Sequence, residues 1–385
     1  MALSGRLLRS PGVRIGALAL AALAPAMAQR AAEAGEYETV ASGLQHPWAV
    51  AFLPDGRFLV TERPGRLRVV EADGRIQPPV KGLPDVAARG QGGLLDVVTD
   101  SEFARHRTIY FCYAEPGPGN TNSTALARAR LSDDATRLED VRVIFSQQPK
   151  VSSTAHFGCR IVERMVDAKP DGTLFLTLGD RFSRRDDAPL LSSHLGKIVR
   201  VGKDGSVPKD NPFVGKAGAL PEIWSYGHRN GQGATMGPDG RLWMHEHGAQ
   251  GGDEINLPEP GRHYGWPQVS FGVNYDGSPI GSGKASAPGL APPLHHWTPS
   301  IAPSGMAFLT SDRYGAAWKG NLFVGSLKMQ YLNRIELKSG KVVAEHKLLQ
   351  GLGQRIRDVR QGPDGLLYVV TDDPQGRLVR VLPNS

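Results

Sequence analysis

An imidazole and a carboxylate flank one predicted strand and could form a general base. His156 lies just before the strand, in the run 155–158, and Asp180 follows its end. A carboxylate behind an imidazole fixes the tautomer of the ring and raises its basicity. We therefore predict that His156 is a general base oriented by Asp180; the alternative is a histidine with only a packing role. Cys159 could suggest a thiol nucleophile, but nothing else resembles an acyl-transfer site.

Two later segments could bind negative charge and a metal ion. Arg229 and Asn230 place a planar cation beside an amide, which suits an oxyanion or a quinone oxygen; the alternative is a surface ion pair. The loop 246–254 combines three carboxylates with three glycines and suits calcium, although its spacing is not that of an EF-hand and an ordinary solvated loop is the alternative. His245 and His247 share one face of a strand and could begin a zinc site, but no third ligand follows at a recognisable spacing.

Three of the cations in the C-terminal part of the chain could act together. Arg355 and Arg357 are two residues apart, so in a strand they share a face, and Lys328 precedes them. Cations from different structural units could converge on one small polyanionic ligand. The alternative is solvated charge at the rim of the fold.

The elements that must position these residues recur along the chain. The tripeptide Pro-Asp-Gly, followed by a strand-like apolar run, begins at residues 54, 170, 238 and 363, and weaker copies occupy 100–113 and 318–324. Pro fixes φ, and Gly supplies the positive φ of a tight turn. About six such units with almost no helical pattern predict an all-β fold, a six-bladed β-propeller, with a β-sandwich pair as the alternative. Functional residues should then lie in loops at one end of the central channel.

The N-terminus has the features of a targeting segment. Residues 1–28 combine a basic start, a short apolar run and a small-x-small site, which predicts a secretory signal peptide cleaved before Gln29. The apolar run is too short for a membrane anchor, the alternative. Losing its three arginines lowers the formal charge from +7 to +4. Residues 29–385 are then predicted to form a single catalytic propeller, periplasmic or secreted and not inserted in a membrane. Without a basic run or known motif, we expect no nucleic-acid partner.

The chain contains two cysteines, Cys112 and Cys159. Export would allow them to oxidise to a disulfide. A disulfide requires Cα atoms within roughly 7 Å of each other, and the sequence does not give that distance. We leave the pairing open and favour two free thiols.

Taken together, these segments resemble the soluble aldose sugar dehydrogenases and the wider glucose/sorbosone dehydrogenase family, which use pyrroloquinoline quinone (PQQ). No single run is decisive, but the ordered set spans nearly the whole mature chain. The matching runs are 46–52, 91–96, 156–158, 178–181, 193–197, 225–230, 251–254, 274–277 and 355–362.

The resemblance implies a six-bladed propeller with the cofactor across its top. It implies that His156 is the general base, that Asp180 orients it, that Arg229 contacts the reactive quinone oxygen, and that Asn230 lies beside it on the cofactor. Further cofactor contacts fall at Gln91, Tyr275, Lys328, Arg355 and Arg357. One calcium ion would bind the main-chain carbonyls of Gly248 and Ala249, and a second, structural calcium would use Glu254 and the carbonyl of Tyr264.

The sequence departs from the family pattern near the implied site. Cys159 stands where glycine is usual, and Gly231 and Ala249 stand where proline is usual, which should loosen their loops. Residues 161–167 replace a shorter, more apolar strand. These differences affect the expected geometry around His156.

The resemblance implies oxidation of the C1 hydroxyl of aldose sugars to lactones by hydride transfer to PQQ, with calcium assistance. One alternative is a calcium-dependent lactonase on a six-bladed propeller, which would have no use for three gathered cations. Another is a non-catalytic propeller, which would not need a histidine backed by a carboxylate. The sequence leaves open the preferred sugar, the electron acceptor and the oligomeric state.

Overall fold

The computed structural model describes Met1 and residues 36–383. In this part of the chain, the strands form six sheets, and helical structure is limited to α1 (Phe103–His106) and the 3₁₀ turns Arg185–Asp187 and Gln350–Leu352. No helix within these residues is long and apolar enough to cross a membrane. The predicted signal peptide, residues 1–28, lies outside the described residues except for Met1.

Each sheet is one blade, numbered here in chain order from the first complete sheet. Strand β1 (Tyr37–Leu44) belongs to blade 6. Blade 1 contains β2 (Pro47–Phe52), β3 (Phe58–Glu62) and β4 (Arg66–Val70). Blade 2 contains β5 (Leu94–Thr99), β6 (Thr108–Pro116), β7 (Asn122–Leu131) and β8 (Leu138–Ser146). Blade 3 contains β9 (Ile161–Val166), β10 (Lys169–Leu178), β11 (Lys197–Gly202) and β12 (Ile223–Tyr226). Blade 4 contains β13 (Gly231–Met236), β14 (Leu242–Glu246), β15 (Asp253–Asn256) and β16 (His295–Trp297). Blade 5 contains β17 (Pro303–Phe308), β18 (Leu322–Ser326), β19 (Leu332–Lys338) and β20 (Lys341–Leu348). Blade 6 contains β21 (Ile356–Gln361), β22 (Leu367–Thr371) and β23 (Gly376–Val381), together with β1.

The six blades close into a ring. Strand β1 pairs antiparallel with β23 from Tyr37 opposite Val381 to Leu44 opposite Gly376, so the N-terminal strand completes the C-terminal blade. The predicted all-β six-bladed propeller is confirmed, and the β-sandwich alternative is wrong. Because the ring is closed, each blade packs between two neighbouring blades. The loops that connect the strands, although distant in sequence, are therefore held at fixed positions.

The Pro-Asp-Gly turns have the backbone that the sequence predicts. Their glycines, Gly56, Gly172, Gly240 and Gly365, have φ of 85°, 84°, 73° and 79°, in the region that favours glycine. The apolar runs that follow them are buried between blades. One weaker copy differs, because residues 100–113 contain α1 before β6 instead of a tight turn.

Charged side chains cross-link the inner strands within the channel. Arg160 Nη1 donates to Asp358 Oδ1 at 3.0 Å and approaches Asp96 Oδ1 at 3.3 Å. Arg360 bonds the same two carboxylates, at 2.6 Å to Asp96 and 3.0 Å to Asp358. Both carboxylates are fully buried. Because buried charges are tolerated when they are paired, this network ties blades 2, 3 and 6 together below the site.

The preference for two free thiols was wrong. Cys112 on β6 and Cys159, just before β9, form a disulfide with Cα atoms 5.7 Å apart. The propeller places these segments side by side in neighbouring blades, which their sequence separation of 47 does not reveal. Cys159 has φ 82°, which explains why a glycine suits this position in the family that the sequence resembles.

Candidate active site

His156 and Asp180 form the predicted pair at the end of blade 3. His156 Nδ1 lies 2.6 Å from Asp180 Oδ1, and both side chains are buried. Asp180 is fixed in turn, because its Oδ2 accepts a hydrogen bond from Trp266 Nε1 at 2.8 Å. Within the described residues, His156 Nε2 has no hydrogen-bond partner, and the histidine lines a cavity of about 230 Å³. The pair therefore has the arrangement of an oriented base facing an open space.

Two glycines allow this pairing. A Cβ on Gly179 would lie 2.1 Å from the carbonyl oxygen of His156, and a Cβ on Gly158 would lie 2.5 Å from that of Thr177. Only glycine lets the histidine segment lie directly on the end of β10. The backbone N–H of His156, which has φ 52°, donates to Gln91 Oε1 at 2.8 Å, so the predicted cofactor residue Gln91 also holds the histidine segment.

The surroundings of His156 favour its neutral form. Burial lowers the pKa of the imidazole below its ordinary value; the hydrogen bond to Asp180 opposes this effect, and the nearby charge of Arg229 adds to it. A neutral imidazole whose Nδ1 is tied to a carboxylate keeps a free lone pair on Nε2. This protonation state is the one that a general base requires near neutral pH.

Arg229 lies beside this pair, with its guanidinium held from several sides. Nη1 donates to the carbonyl of Gly248 at 2.5 Å, and Nη2 lies 3.3 Å from the hydroxyl of Tyr275. The guanidinium also lies over the ring of Trp266, 5.3 Å from its centroid. Arg229, Tyr275 and Ala249 line the same cavity as His156. The structure thus brings the three predicted catalytic residues together.

A second cavity has a volume of about 300 Å³. The predicted cofactor residues Gln91, Asn230, Arg355 and Arg357 line it. The two cavities lie close together, because Arg229 lines the first and the next residue, Asn230, lines the second. Asn230 Oδ1 accepts from the backbone of Gly158 at 3.1 Å, which links this wall to the histidine segment.

The cationic side of the second cavity centres on one carboxylate. Arg357 Nη2 lies 3.0 Å from Asp372 Oδ2, and Arg355 Nη2 lies 3.4 Å from it. Burial alone would raise the pKa of Asp372, but Arg357 and the hydrogen bond from His46 outweigh it and hold the pKa well below its ordinary value. Arg357 Nε is buried without a hydrogen-bond partner in the described structure. Arg63 also lines the second cavity, so three arginines line one space.

Lys328 differs from the other predicted cofactor residues. Its neighbour Leu327 lines the second cavity, whereas Lys328 is exposed and lines none of the cavities described here. Strand β18 ends at Ser326, and residues 327–329 form a bend in which the backbone N–H groups of Leu327 and Lys328 donate to the carbonyls of Ala302 and Ile301. The structure does not bring Lys328 into the arginine group.

Two carboxylates share a small enclosed space next to Arg229. Glu246, Glu254, Gly248 and Tyr264 line a cavity of about 20 Å³. Burial and the neighbouring charge of Glu246 raise the pKa of Glu254 to about 8. The amide nitrogen of Asn256 donates a hydrogen bond to Glu246, whereas its amide oxygen is buried without a hydrogen-bond partner in the described part of the chain. Glu246 is already paired with His228 Nδ1, the backbone N–H of Arg229 and the Asn256 amide, so the oxygens left short of donors are those of Glu254 and Asn256. Such oxygens suit a hard cation.

The zinc hypothesis gains no third ligand. Among residues 36–383, no group of three or more His, Cys, Asp or Glu side chains is placed to hold a metal ion. His245 is fully buried, and burial lowers its pKa to about 3, while His247 Nε2 lies 2.6 Å from the carbonyl of Pro303. A calcium site built from main-chain carbonyls would not form such a group, so the calcium hypothesis depends on the oxygen atoms described above.

Several residues of the site were not singled out from the sequence. Asp372 organises the arginine group, Trp266 holds Asp180, and Arg63 adds a cation to the second cavity. Trp48 lines the same cavity and belongs to a run that carried the family resemblance. The other three lie in segments with no recognisable spacing, and only the closed ring brings them to the site.

Comparisons with known proteins find matches over most of the chain. The family model for glucose/sorbosone dehydrogenase matches residues 44–380. The chain is 45% identical to the aldose sugar dehydrogenase YliI of Escherichia coli (strain K12) over 351 residues, covering 90% of this chain and 93% of the relative.

Solved structures with the same fold include two aldose sugar dehydrogenases. The soluble enzyme from Escherichia coli in its apo-form superposes with a TM-score of 0.85 at 44% identity, covering 90% of this chain and 99% of that one. The PQQ-bound enzyme from Streptomyces coelicolor superposes with a TM-score of 0.72 at 28% identity, covering 89% and 96%.

Proposed function

The chain belongs to the glucose/sorbosone dehydrogenase family, and from that premise we propose that it oxidises the C1 hydroxyl of aldose sugars to lactones, with PQQ as hydride acceptor and calcium as an aid. The observation that carries the proposal is the His156–Asp180 pair, at 2.6 Å, facing a cavity that lies close to an arginine-lined space. The relatives named above are sugar dehydrogenases, which supports the reaction class.

The residues present fit the proposed cofactor. PQQ carries three carboxylates, and Arg63, Arg355 and Arg357 face one cavity. The buried Arg357 Nε still has a hydrogen to donate. Charge-assisted hydrogen bonds to carboxylates are among the strongest in proteins, so a polyanion there would satisfy groups that are now only partly paired.

The protein's part in the reaction follows from the site. His156 Nε2 accepts the proton of the sugar's C1 hydroxyl, while Asp180 holds the proton on Nδ1 and stabilises the imidazolium that forms. Arg229 places a fixed positive charge beside the reacting centre, in a partly buried site where such charges act strongly. When bound, the quinone supplies the two-electron chemistry that no side chain here can perform.

Calcium would have two sets of oxygen ligands. Gly248 and Ala249 offer carbonyls next to the reaction cavity, although Arg229 already donates to Gly248, so a cation would share that oxygen. Glu254, with Glu246 and Tyr264 near it, offers the enclosed set. We do not propose the lactonase reaction, because the relatives are dehydrogenases and the arginine group would have no role in it.

The function is tested by reconstitution. Purified protein, freed of cofactor and metal, should reduce a redox dye with glucose only after both PQQ and Ca²⁺ are added. NAD⁺ should not replace PQQ, since the sequence has no Gly-rich strand-to-helix phosphate turn. Equal dye reduction with neither addition, in protein shown to be free of both, would refute the proposal.

The enclosed carboxylates predict a calcium effect on stability that is separate from activity. Calcium at the enclosed site, at about 100 times the dissociation constant of that site, should raise the free energy of unfolding by about 2.7 kcal/mol. Glu254→Gln should lose this contribution and keep any response that comes from the carbonyls of Gly248 and Ala249. In chelator the variant should match or exceed the wild type at pH 8, because it no longer places a second negative charge beside Glu246. Urea denaturation with and without Ca²⁺ measures both, and Glu259→Gln, an exposed carboxylate nearby, is the control. A Ca²⁺ response in Glu254→Gln equal to that of the wild type would exclude Glu254 as a ligand.

We further propose that the protein is exported. The Cys112–Cys159 disulfide supports this, because structural disulfides persist in oxidising compartments. The mass of the mature protein tests the proposed cleavage before Gln29. The sugar would then be a soluble partner and the electron acceptor a second one, of unassigned chemistry.

A further inference from the structure

An aromatic side chain stands exposed beside the proposed base. Phe182 is 53% exposed and lines the same cavity as His156. Its ring meets the imidazole edge to face, with centroids 5.3 Å apart. Burying an aromatic ring is strongly favourable, so a ring left in an open cavity next to the reacting centre calls for a reason other than packing.

A second exposed aromatic side chain, that of Tyr275, lies on the same cavity as Phe182. Among the described residues, Phe182 and Tyr275 are the only aromatic side chains in the set of exposed large hydrophobic residues, and both line this cavity. Their rings lie 6.5 Å apart and are tilted by 35°. Singly scattered apolar residues are normal on a surface, but two aromatic rings on one cavity indicate a binding surface.

The backbone holds Phe182 in a costly conformation. Arg181 and Phe182 have φ of 55° and 60°, a region that bulky side chains rarely adopt. The guanidinium of Arg181 is fully buried over the ring of Phe157, at 3.9 Å, and donates to the carbonyl of Ala155 at 3.0 Å. The backbone N–H of Phe182 donates to Asp180 Oδ1 at 2.8 Å. Strain that neighbouring contacts enforce is typical of functional sites.

The result of this strain is the direction of the ring. The turn buries Arg181 on one side and places Phe182 over the cavity on the other. The hydrogen bond to Asp180 couples the position of the ring to the pair that would remove the proton. A ligand in contact with Phe182 would therefore also be close to His156.

We propose that Phe182 is the surface against which the ring of a pyranose sugar packs, and that it contributes to substrate binding more than to the chemical step. A pyranose has polar edges and faces of C–H groups, and such a face packs well on an aromatic ring. The inference rests on the proposed sugar dehydrogenase function. Phe182 would then make the site selective for cyclic sugars, which neither His156 nor the arginine group can do.

Steady-state kinetics with glucose tests the assignment. In the reconstituted enzyme, Phe182→Ala should raise KM about 10-fold, the loss expected from one aromatic contact surface, and change kcat less than about threefold. The inhibition constant of 1,5-anhydroglucitol, a pyranose without the anomeric hydroxyl, should rise by the same factor. Phe182→Trp should retain wild-type values within about threefold. Val343→Ala, which removes an equally exposed apolar side chain from β20 (Val343 is 52% exposed), should change neither.

The outcomes separate three cases. If Phe182 only supports the imidazole, Phe182→Ala lowers kcat and shifts the acid side of the pH profile while KM and the inhibition constant stay constant, which overturns the inference. If the wild type itself shows no sugar-dependent activity with PQQ and Ca²⁺, the proposed function fails instead. Should Phe182→Ala fold poorly, Phe182→Gly carries the same test, because glycine adopts the positive φ without strain.

Discussion

The His156→Gln variant should bind PQQ and calcium normally and turn over about 10³- to 10⁴-fold more slowly, near the upper end of the range for general-base catalysis. Glutamine retains the size and hydrogen bonding of the side chain but cannot accept a proton at neutral pH. A C1 hydroxyl that keeps its proton is a poorer hydride donor than an alkoxide, so the loss should be large. Single-turnover reduction of bound quinone measures the effect.

The pH dependence provides an independent check on the same residue. Because burial holds the pKa of His156 below its ordinary value of 6.5, the wild-type rate should be constant near neutral pH and fall only below about that value as the imidazole takes a proton. The hydrogen bond that His156 Nδ1 donates to Asp180 raises this pKa. Asp180→Asn should therefore move the fall in activity to lower pH and also reduce the rate on the plateau, though less than His156→Gln.

A packing role for His156 gives a different set of results. His156→Gln would then lower the melting temperature and change turnover little. Reduction of bound quinone within about threefold of the wild-type rate would remove His156 from the mechanism, since that change is far below the general-base range. Quinone titration on the same variant shows whether the binding site is intact.

The fold was largely predictable because its blades share a local signal. A Pro-Asp-Gly turn followed by an apolar strand depends only on neighbouring residues, and all four turns have glycine at positive φ. The closure of blade 6 by β1 is a long-range pairing, and no local pattern predicts it. The copy at 100–113 was correct in the strand β6 and wrong in the turn, where α1 forms instead.

The site was predictable where residues of complementary chemistry lie close together in the sequence. His156 and Asp180 flank one strand unit, so their meeting follows from the fold, and Gly158 and Gly179 mark the close approach. Asp372 and the Cys112–Cys159 disulfide depend on contacts between segments distant in sequence. Their residue types alone carry no information about partners, which is why the cysteines were wrongly expected to be free.

Lys328 stays a prediction as a cofactor residue. Its neighbour Leu327 lines the second cavity, and the two residues lie in a bend after β18 whose course residue type does not give. Arg355 and Arg357, two apart, keep a common side, and both reach Asp372.

Replacing Arg357 with Ala should weaken PQQ binding roughly 10- to 100-fold, which corresponds to the loss of one charge-assisted hydrogen bond to a carboxylate. Turnover at saturating PQQ should fall less, because Arg357 lines the second cavity and not the one that contains His156. Titration of the quinone into the metal-loaded protein, followed by its absorbance, measures the dissociation constant.

Arg355→Ala makes the comparison within the same group. Both arginines contact Asp372, but the side chain of Arg355 is 47% exposed and that of Arg357 is 11% exposed. Solvent screens an exposed charge, so Arg355→Ala should weaken PQQ binding less than Arg357→Ala does. Arg380→Ala removes an arginine of the same blade that pairs with Glu38 far from either cavity, and should leave the titration unchanged. If Arg357→Ala binds PQQ as tightly as Arg380→Ala, the polyanion lies elsewhere, and the buried arginine would then serve only to pair with Asp372 at the closure of the ring.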